Sequence, residues 1–223
     1  EIELLKKTPS SGIIGTTRIK QFNDFEIDSF RKILEKYQIS YFINIGGSGT
    51  IKQTKYLAEN VAGLKAISLP KTVDNDLGDQ LLESMSFTPG FPSVVNYWYH
   101  KVLMLNNESL GACSHDKVLV AQTFGRNTGF IAGAARFADP LRKLPLLILL
   151  PEDQRSIGDV LDAIRGVVKK FGRAIVVMSE GYDMGDVGAI RDYSGQIVLS
   201  SSQSLAAQLL VNLCVKEVLQ PRA

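Results

Sequence analysis

Asp74 and Asp76 stand two residues apart in the run Pro70-Lys71-Thr72-Val73-Asp74-Asn75-Asp76, with Lys71 close by. Crowding two carboxylates makes it costly to ionise both. Such a pair suits proton transfer: one carboxylate accepts a proton from an attacking hydroxyl while the other holds a metal ion or orients the first. The same run also makes a good solvated turn, because Asn and Asp are strong turn formers. Three further runs carry chemistry of a related kind. Gly46-Gly47-Ser48-Gly49-Thr50 offers backbone that can approach a ligand closely and, ahead of a helix, free amides for a phosphate. A tight turn without a ligand explains those glycines equally well. Phe124-Gly125-Arg126-Asn127-Thr128-Gly129 presents an arginine whose fork matches a phosphate, or an ordinary surface arginine in a glycine turn. Ser179-Glu180-Gly181 presents an acid able to accept hydrogen bonds from sugar hydroxyls, or one that is merely solvated.

The surrounding pattern says where these runs sit. Strands are expected at 41–45, 65–69, 117–124, 146–150 and 173–178, rich in Ile, Val and Leu and mostly apolar on both faces, as buried parallel strands are. Helices are expected from Asp24, with Ile27, Phe30, Leu34 and Tyr37 at helical spacing, and at 50–61, 92–106, 129–138, 158–171 and 202–219. The last has a serine-rich start suited to capping, and the helix at 92 opens on a proline, whose missing N–H does no harm there. Alternation of this kind predicts an α/β fold with a mostly parallel sheet covered on both faces. All of the polar runs directly follow expected strands. In such sheets ligands bind beyond the carboxyl ends of the strands, so the runs reinforce one another.

Composition narrows the function further. The 223 residues are 45% hydrophobic, enough for one large α/β domain or two small ones and unlike a disordered chain. The formal net charge is +2, with Lys and Arg spread along the chain, which predicts neither a nucleic-acid nor a membrane surface. Apolar stretches are too short to span a bilayer and no signal-peptide pattern is found; with only two scattered cysteines, a reduced, cytoplasmic setting is expected. Cys113 and Cys214, far apart and without a CxxC spacing, fit reduced packing residues.

The order GGxGT, PKTVDND, FGRNTG and SEG, with its spacing, resembles the phosphofructokinase family over nearly the whole chain, from about Gly12 to about Leu219. PKTVDND is the most specific of these motifs. The resemblance implies two Rossmann-like lobes, a donor lobe over 1–85 and a fructose 6-phosphate lobe over 86–223. It implies transfer of a phosphoryl group from ATP or pyrophosphate to the 1-hydroxyl of fructose 6-phosphate, with magnesium, in a homo-oligomer. Asp74 is then the base, Asp76 positions the metal and the reacting groups, Thr72 touches the transferring phosphoryl and Arg126 stabilises its charge. Phe124, in place of the family's usual methionine, and Gly125 lie against the sugar, and Glu180 binds its hydroxyls. Lys117 matches an arginine that reaches the sugar phosphate of a neighbouring subunit. Arg18, Gly47, Ser48, Gly49, Thr50 and Lys71 fall on the donor side.

Two departures from the family pattern matter. Ser48 stands where the family has a magnesium-holding aspartate, which weakens the metal site and leaves open a catalytically weak regulatory or binding member. Gly49 leaves room for the α-phosphate of ATP, whereas Lys71 is more typical of pyrophosphate users; the pair leans slightly to ATP. Both ends of the family's catalytic core, a first strand with a phosphate-cradling loop and a final loop with a histidine and arginines, are expected outside this sequence. A kinase acting on NAD or diacylglycerol shares the GGxGT loop but not the other runs. A dehydrogenase would need a GxGxxG after a strand, which is absent.

Overall fold

The computed structural model describes residues 3, 6–7, 15–17, 22–78, 85–153, 155–184 and 206–220. The chain divides into two compact units, Glu1–Leu69 and Pro70–Ala223.

The first unit holds α1 (Asp24–Lys36), β1 (Tyr41–Gly46), α2 (Ser48–Asn60) and β2 (Lys65–Pro70). Asn23 starts α1 through a reciprocal cap: its Oδ1 accepts the Glu26 amide at 2.9 Å, and Glu26 accepts the Asn23 amide at 2.9 Å. Ile27 and Leu34 then pack on Leu57 and Val61, with Phe42 and Ala66 beneath. β1 and β2 pair, and the Lys65 amide donates to the Ser40 carbonyl at 2.8 Å, so the strands begin side by side. Burial alternates along both strands, and Tyr41, Ile43, Ile45, Ile67 and Leu69 are exposed. This pattern belongs to a sheet clothed on one face. Sequence does not distinguish it from full burial, because the outward positions are as apolar as the inward ones.

The second unit is a three-layer sandwich. Its sheet has the order β3 (Val118–Thr123), β5 (Ala174–Ser179), β4 (Leu146–Leu149), and both pairings are parallel, with Val118 opposite Ala174 and Leu146 opposite Ile175. β5 lies in the centre and is buried along its whole length. Its side chains alternate between two cores, as strand geometry requires. Ala174, Val176 and Met178 meet α5 (Ile157–Phe171) and α6 (Ala206–Leu213) through Val160, Ile164 and Leu210. Ile175 and Val177 meet α3 (Phe91–Gly111) and α4 (Phe130–Ala134) through Trp98, Val102 and Ile131. This sheet has the covered parallel form expected from sequence.

Local signals set the helix ends. Ser156 and Asp159 form a reciprocal cap on α5, and Gly172 closes it at φ 75°. α4 tightens into a 3₁₀ turn (Ala135–Ala138), and α6 widens into a π turn (Cys214–Val218). Residues 202–205, the serine-rich start expected for α6, lie outside the described residues. Cys214 is buried in the core, which pushes its thiol up to about 11 and makes it a packing residue. Among the described residues no helix is long and apolar enough to cross a membrane.

Candidate active site

The loop after β2 is built round a threonine far along the chain. Thr88 is fully buried (0% exposed); its amide donates to Asn75 Oδ1 at 2.8 Å, and its hydroxyl lies 3.0 Å from the Thr72 carbonyl. Asn75, itself 4% exposed, turns the chain at φ 57°, in the left-handed region that Asn tolerates better than most residues. The Thr72 amide donates to the Pro89 carbonyl at 3.0 Å, and the chain passes Gly90 so closely that a Cβ there would lie 3.1 Å from the Thr72 carbonyl oxygen. Within this frame the Thr72 hydroxyl accepts the Asp74 amide at 3.1 Å and reaches Asp74 Oδ2 at 3.4 Å. Asp74 is thus presented with its side chain only 15% exposed, while Lys71 and Asp76 are exposed on either side.

The loop after β3 is held by backbone amides. Gly125 (φ 127°) and Arg126 (φ 50°) both lie in the left-handed region, where a side chain is strained. Glu180, at the end of β5 and 5% exposed, accepts the Arg126 amide on Oε1 at 2.8 Å. Glu152, after β4, accepts the Gly129 amide at 2.9 Å. Gly181 packs so tightly that a Cβ would collide with the Arg126 carbonyl. The loops after three neighbouring strands therefore grip one another. The result brings Arg126 Nε to 3.6 Å from Asp74 Oδ2, with the arginine side chain still 56% exposed and able to meet an anion.

Asp74 has its carboxyl held above the usual aspartate range. Burial is the main cause and the negative charge of Asp76 the second; Arg126, the Thr72 hydroxyl and Lys71 pull the other way. A half-buried carboxylate with a raised proton affinity beside an exposed arginine is equipped to take a proton while negative charge is stabilised next to it.

The structure thus gathers Thr72, Asp74, Gly125, Arg126 and Glu180, with Lys71 and Asp76 on the same loop as Asp74. Phe124 is exposed beside Gly125. Lys117 stands elsewhere, at the start of β3, about 20 Å of strand from Thr123, with its Nζ donating to the Cys113 carbonyl. In the first unit, Gly47 caps α2 without a side-chain hydrogen bond, and Ser48 and Gly49 are exposed at its first turn. Thr50 folds back over Gly46, leaving no room there for a side chain. Arg18 lies outside the described residues. Thr88, Thr128 and Glu152 are absent from the sequence-derived set. Thr128 lies inside the arginine run and Glu152 lies two residues past an expected strand, which is the signal that points to them; Thr88 carries none.

Among the described residues no cluster of three or more His, Cys, Asp or Glu is placed to hold a metal. Magnesium does not need one, since it is held by one or two carboxylates together with substrate phosphates. The exposed Asp76 carboxylate fits that mode.

A family model described as phosphofructokinase matches residues 5–217. The pyrophosphate–fructose 6-phosphate 1-phosphotransferase of Rhodospirillum rubrum is 31% identical over 97% of this chain and 54% of the relative. An ATP-dependent 6-phosphofructokinase of a Sulfurihydrogenibium species is 30% identical over 76% of this chain and 49% of the relative. The crystal structure of a pyrophosphate-dependent phosphofructokinase from Nitrosospira multiformis superposes with a TM-score of 0.61 at 32% identity, covering 74% of this chain and 42% of the other. The chain spans about half the length of the curated relatives it matches.

The charge balance at Asp74 is open to test by ¹³C NMR titration of its carboxyl in the whole protein. It should protonate above the ordinary aspartate range. Asp76→Asn removes a negative neighbour, eases ionisation and moves the midpoint to lower pH. Arg126→Gln removes a positive neighbour and moves it to higher pH. A midpoint that neither substitution moves would separate these groups from Asp74.

Proposed function

This chain belongs to the phosphofructokinase family, and on that premise we propose that the whole protein transfers a phosphoryl group to the 1-hydroxyl of fructose 6-phosphate. The observation that carries the proposal is the half-buried Asp74 carboxylate 3.6 Å from the Arg126 guanidinium at the carboxyl edge of the sheet. In phosphoryl transfer the protein mainly positions the reactants and stabilises charge. Asp74 receives the proton leaving the attacking hydroxyl. Its raised proton affinity suits that task better than that of a fully solvated aspartate. Arg126 keeps half its side chain in the open, where the transferring phosphoryl meets it. Thr72, which already orients Asp74, offers its hydroxyl on the same side. Phe124 and Gly125 lie against the sugar in this proposal, with Glu180 toward its hydroxyls. Lys117 serves the sugar phosphate of a neighbouring subunit in a homo-oligomer. Residues 1–85 are assigned to the donor and 86–223 to the sugar.

Asp76 would hold magnesium, which when bound neutralises phosphate charge; Ser48 adds at most a neutral hydroxyl. The donor's phosphates are assigned to Gly47, Ser48, Gly49 and Thr50 at the first turn of α2, where no side chain caps the helix start, with Lys71 and Arg18 as cations. We favour ATP, because Gly49 adds neither bulk nor charge at that turn. A second reading, pyrophosphate, is supported by the exposed Lys71 and by the pyrophosphate-dependent relatives.

Asp74→Asn preserves shape but cannot accept the proton. Turnover in a coupled assay should fall by about 10²–10⁴-fold, with the KM for the sugar little changed. Unaltered turnover would remove Asp74 from the role of base.

The donor is decided by parallel assays with ATP and pyrophosphate. A Cβ at Gly49 would meet no atom within 4 Å, so Gly49→Asp should fold normally. It should sharply reduce ATP use while sparing or raising pyrophosphate use. Intact ATP use in the variant would show that this turn does not contact the donor. A parent that uses pyrophosphate alone would establish the second reading.

A further inference from the structure

The loops that carry Asp74 and Arg126 come from different strands, and their ion pair is a poor clamp. At 3.6 Å, with the arginine half exposed, it is screened by water and holds neither side chain tightly. A second bond joins the same loops at a better-defined point. The Thr128 hydroxyl lies 2.9 Å from the Asp74 carbonyl oxygen and 2.9 Å from the Gly125 carbonyl. The Gly125 carbonyl already accepts the Thr128 amide at 2.9 Å. Among the described residues no other donor reaches the Asp74 carbonyl, so the hydroxyl proton is the one that satisfies it. Thr128 is half-buried, which strengthens the bond relative to one in water. Its own backbone is fixed on both sides, by the turn to Gly125 and by the Glu152 grip on the next amide.

We propose that Thr128 is a positioning residue for phosphoryl transfer, its hydroxyl tying the arginine loop to the backbone of the base and so setting the separation of Asp74 and Arg126. The inference rests on the proposed function for its catalytic meaning, but the tie itself is a structural claim. Thr128 touches neither substrate nor reacting atoms. It acts because a base and a charge-stabilising arginine must both meet the same reacting group, and small misplacements of such groups cost rate steeply.

The test uses Thr128→Val and Thr128→Ser in the whole protein. Valine keeps the size of threonine and removes only the hydroxyl; serine keeps the hydroxyl and removes the methyl. Thr128→Val should lower turnover about 10- to 100-fold, with the KM for fructose 6-phosphate within about twofold. Thr128→Ser should restore most of the rate. Amide hydrogen exchange, followed on peptides covering 71–76 and 125–129, should quicken in both segments with valine and return with serine. A purely local role in the arginine turn would loosen 125–129 alone, and that result would overturn the proposal. So would unchanged turnover with valine, or a serine variant as slow as the valine one. Should valine prevent folding, the serine variant still decides: near-parental turnover and exchange support the tie, and a large loss refutes it. If the parent phosphorylates no sugar, the proposed function falls, while the exchange of the two segments still decides whether the tie exists.

Discussion

A single hydrogen bond, from the Arg126 amide to the Glu180 carboxylate at 2.8 Å, lies at the centre of the arrangement on which the rest of this site depends. It joins the end of β3 to the end of β5, continuing their parallel ladder past the last paired residues, Thr123 and Ser179. The bond holds a non-glycine residue at positive φ, a conformation that persists only where the surroundings over-determine it. Gly181 permits the close approach, since any side chain there would occupy the Arg126 carbonyl. The buried strand β5 supplies the rigidity: with both faces packed, its carboxyl end is a fixed point from which loops can be aimed.

From that fixed point the chemistry is a balance of small electrostatic terms. Asp74 is buried enough to resist ionisation, and Asp76 adds to that resistance, while Arg126, Thr72 and Lys71 oppose it. None of these groups forms a tight closed pair with Asp74. The carboxylate is therefore neither locked as an anion by a bidentate partner nor neutralised by full burial. The exposed guanidinium likewise keeps capacity for a second anion. A closed salt bridge would have made a stronger structural contact and a poorer site, because its charges would already be satisfied.

Much of this was legible in sequence. The strands and helices follow from short Ile/Val/Leu runs and 3.6-residue spacing, and the loops from glycines and paired acids directly after those runs. Asp74, Arg126 and Glu180 could be named because chemistry demands their residue types at strand ends. The residues that hold them could not be read in the same way. Thr88 is a lone threonine outside every motif, and its importance arises from burial against Asn75, 13 positions away. Thr128 acts on a carbonyl 54 positions distant. Such partners are set by tertiary geometry, which leaves no local period. The exposed faces of β1 and β2 were also invisible, since Ile43 and Ile67 read as core whether or not anything covers them.

The central claim is that Asp74 and Arg126, held by these shared loops, work on one reacting group as a unit. A double-mutant cycle on kcat/KM in the whole protein, with Asp74→Asn and Arg126→Gln, tests it most directly. Residues that act as a unit are strongly non-additive. The double variant should therefore be little slower than the slower single variant. Losses that simply multiply would mean that the two residues act independently, and would contradict the account.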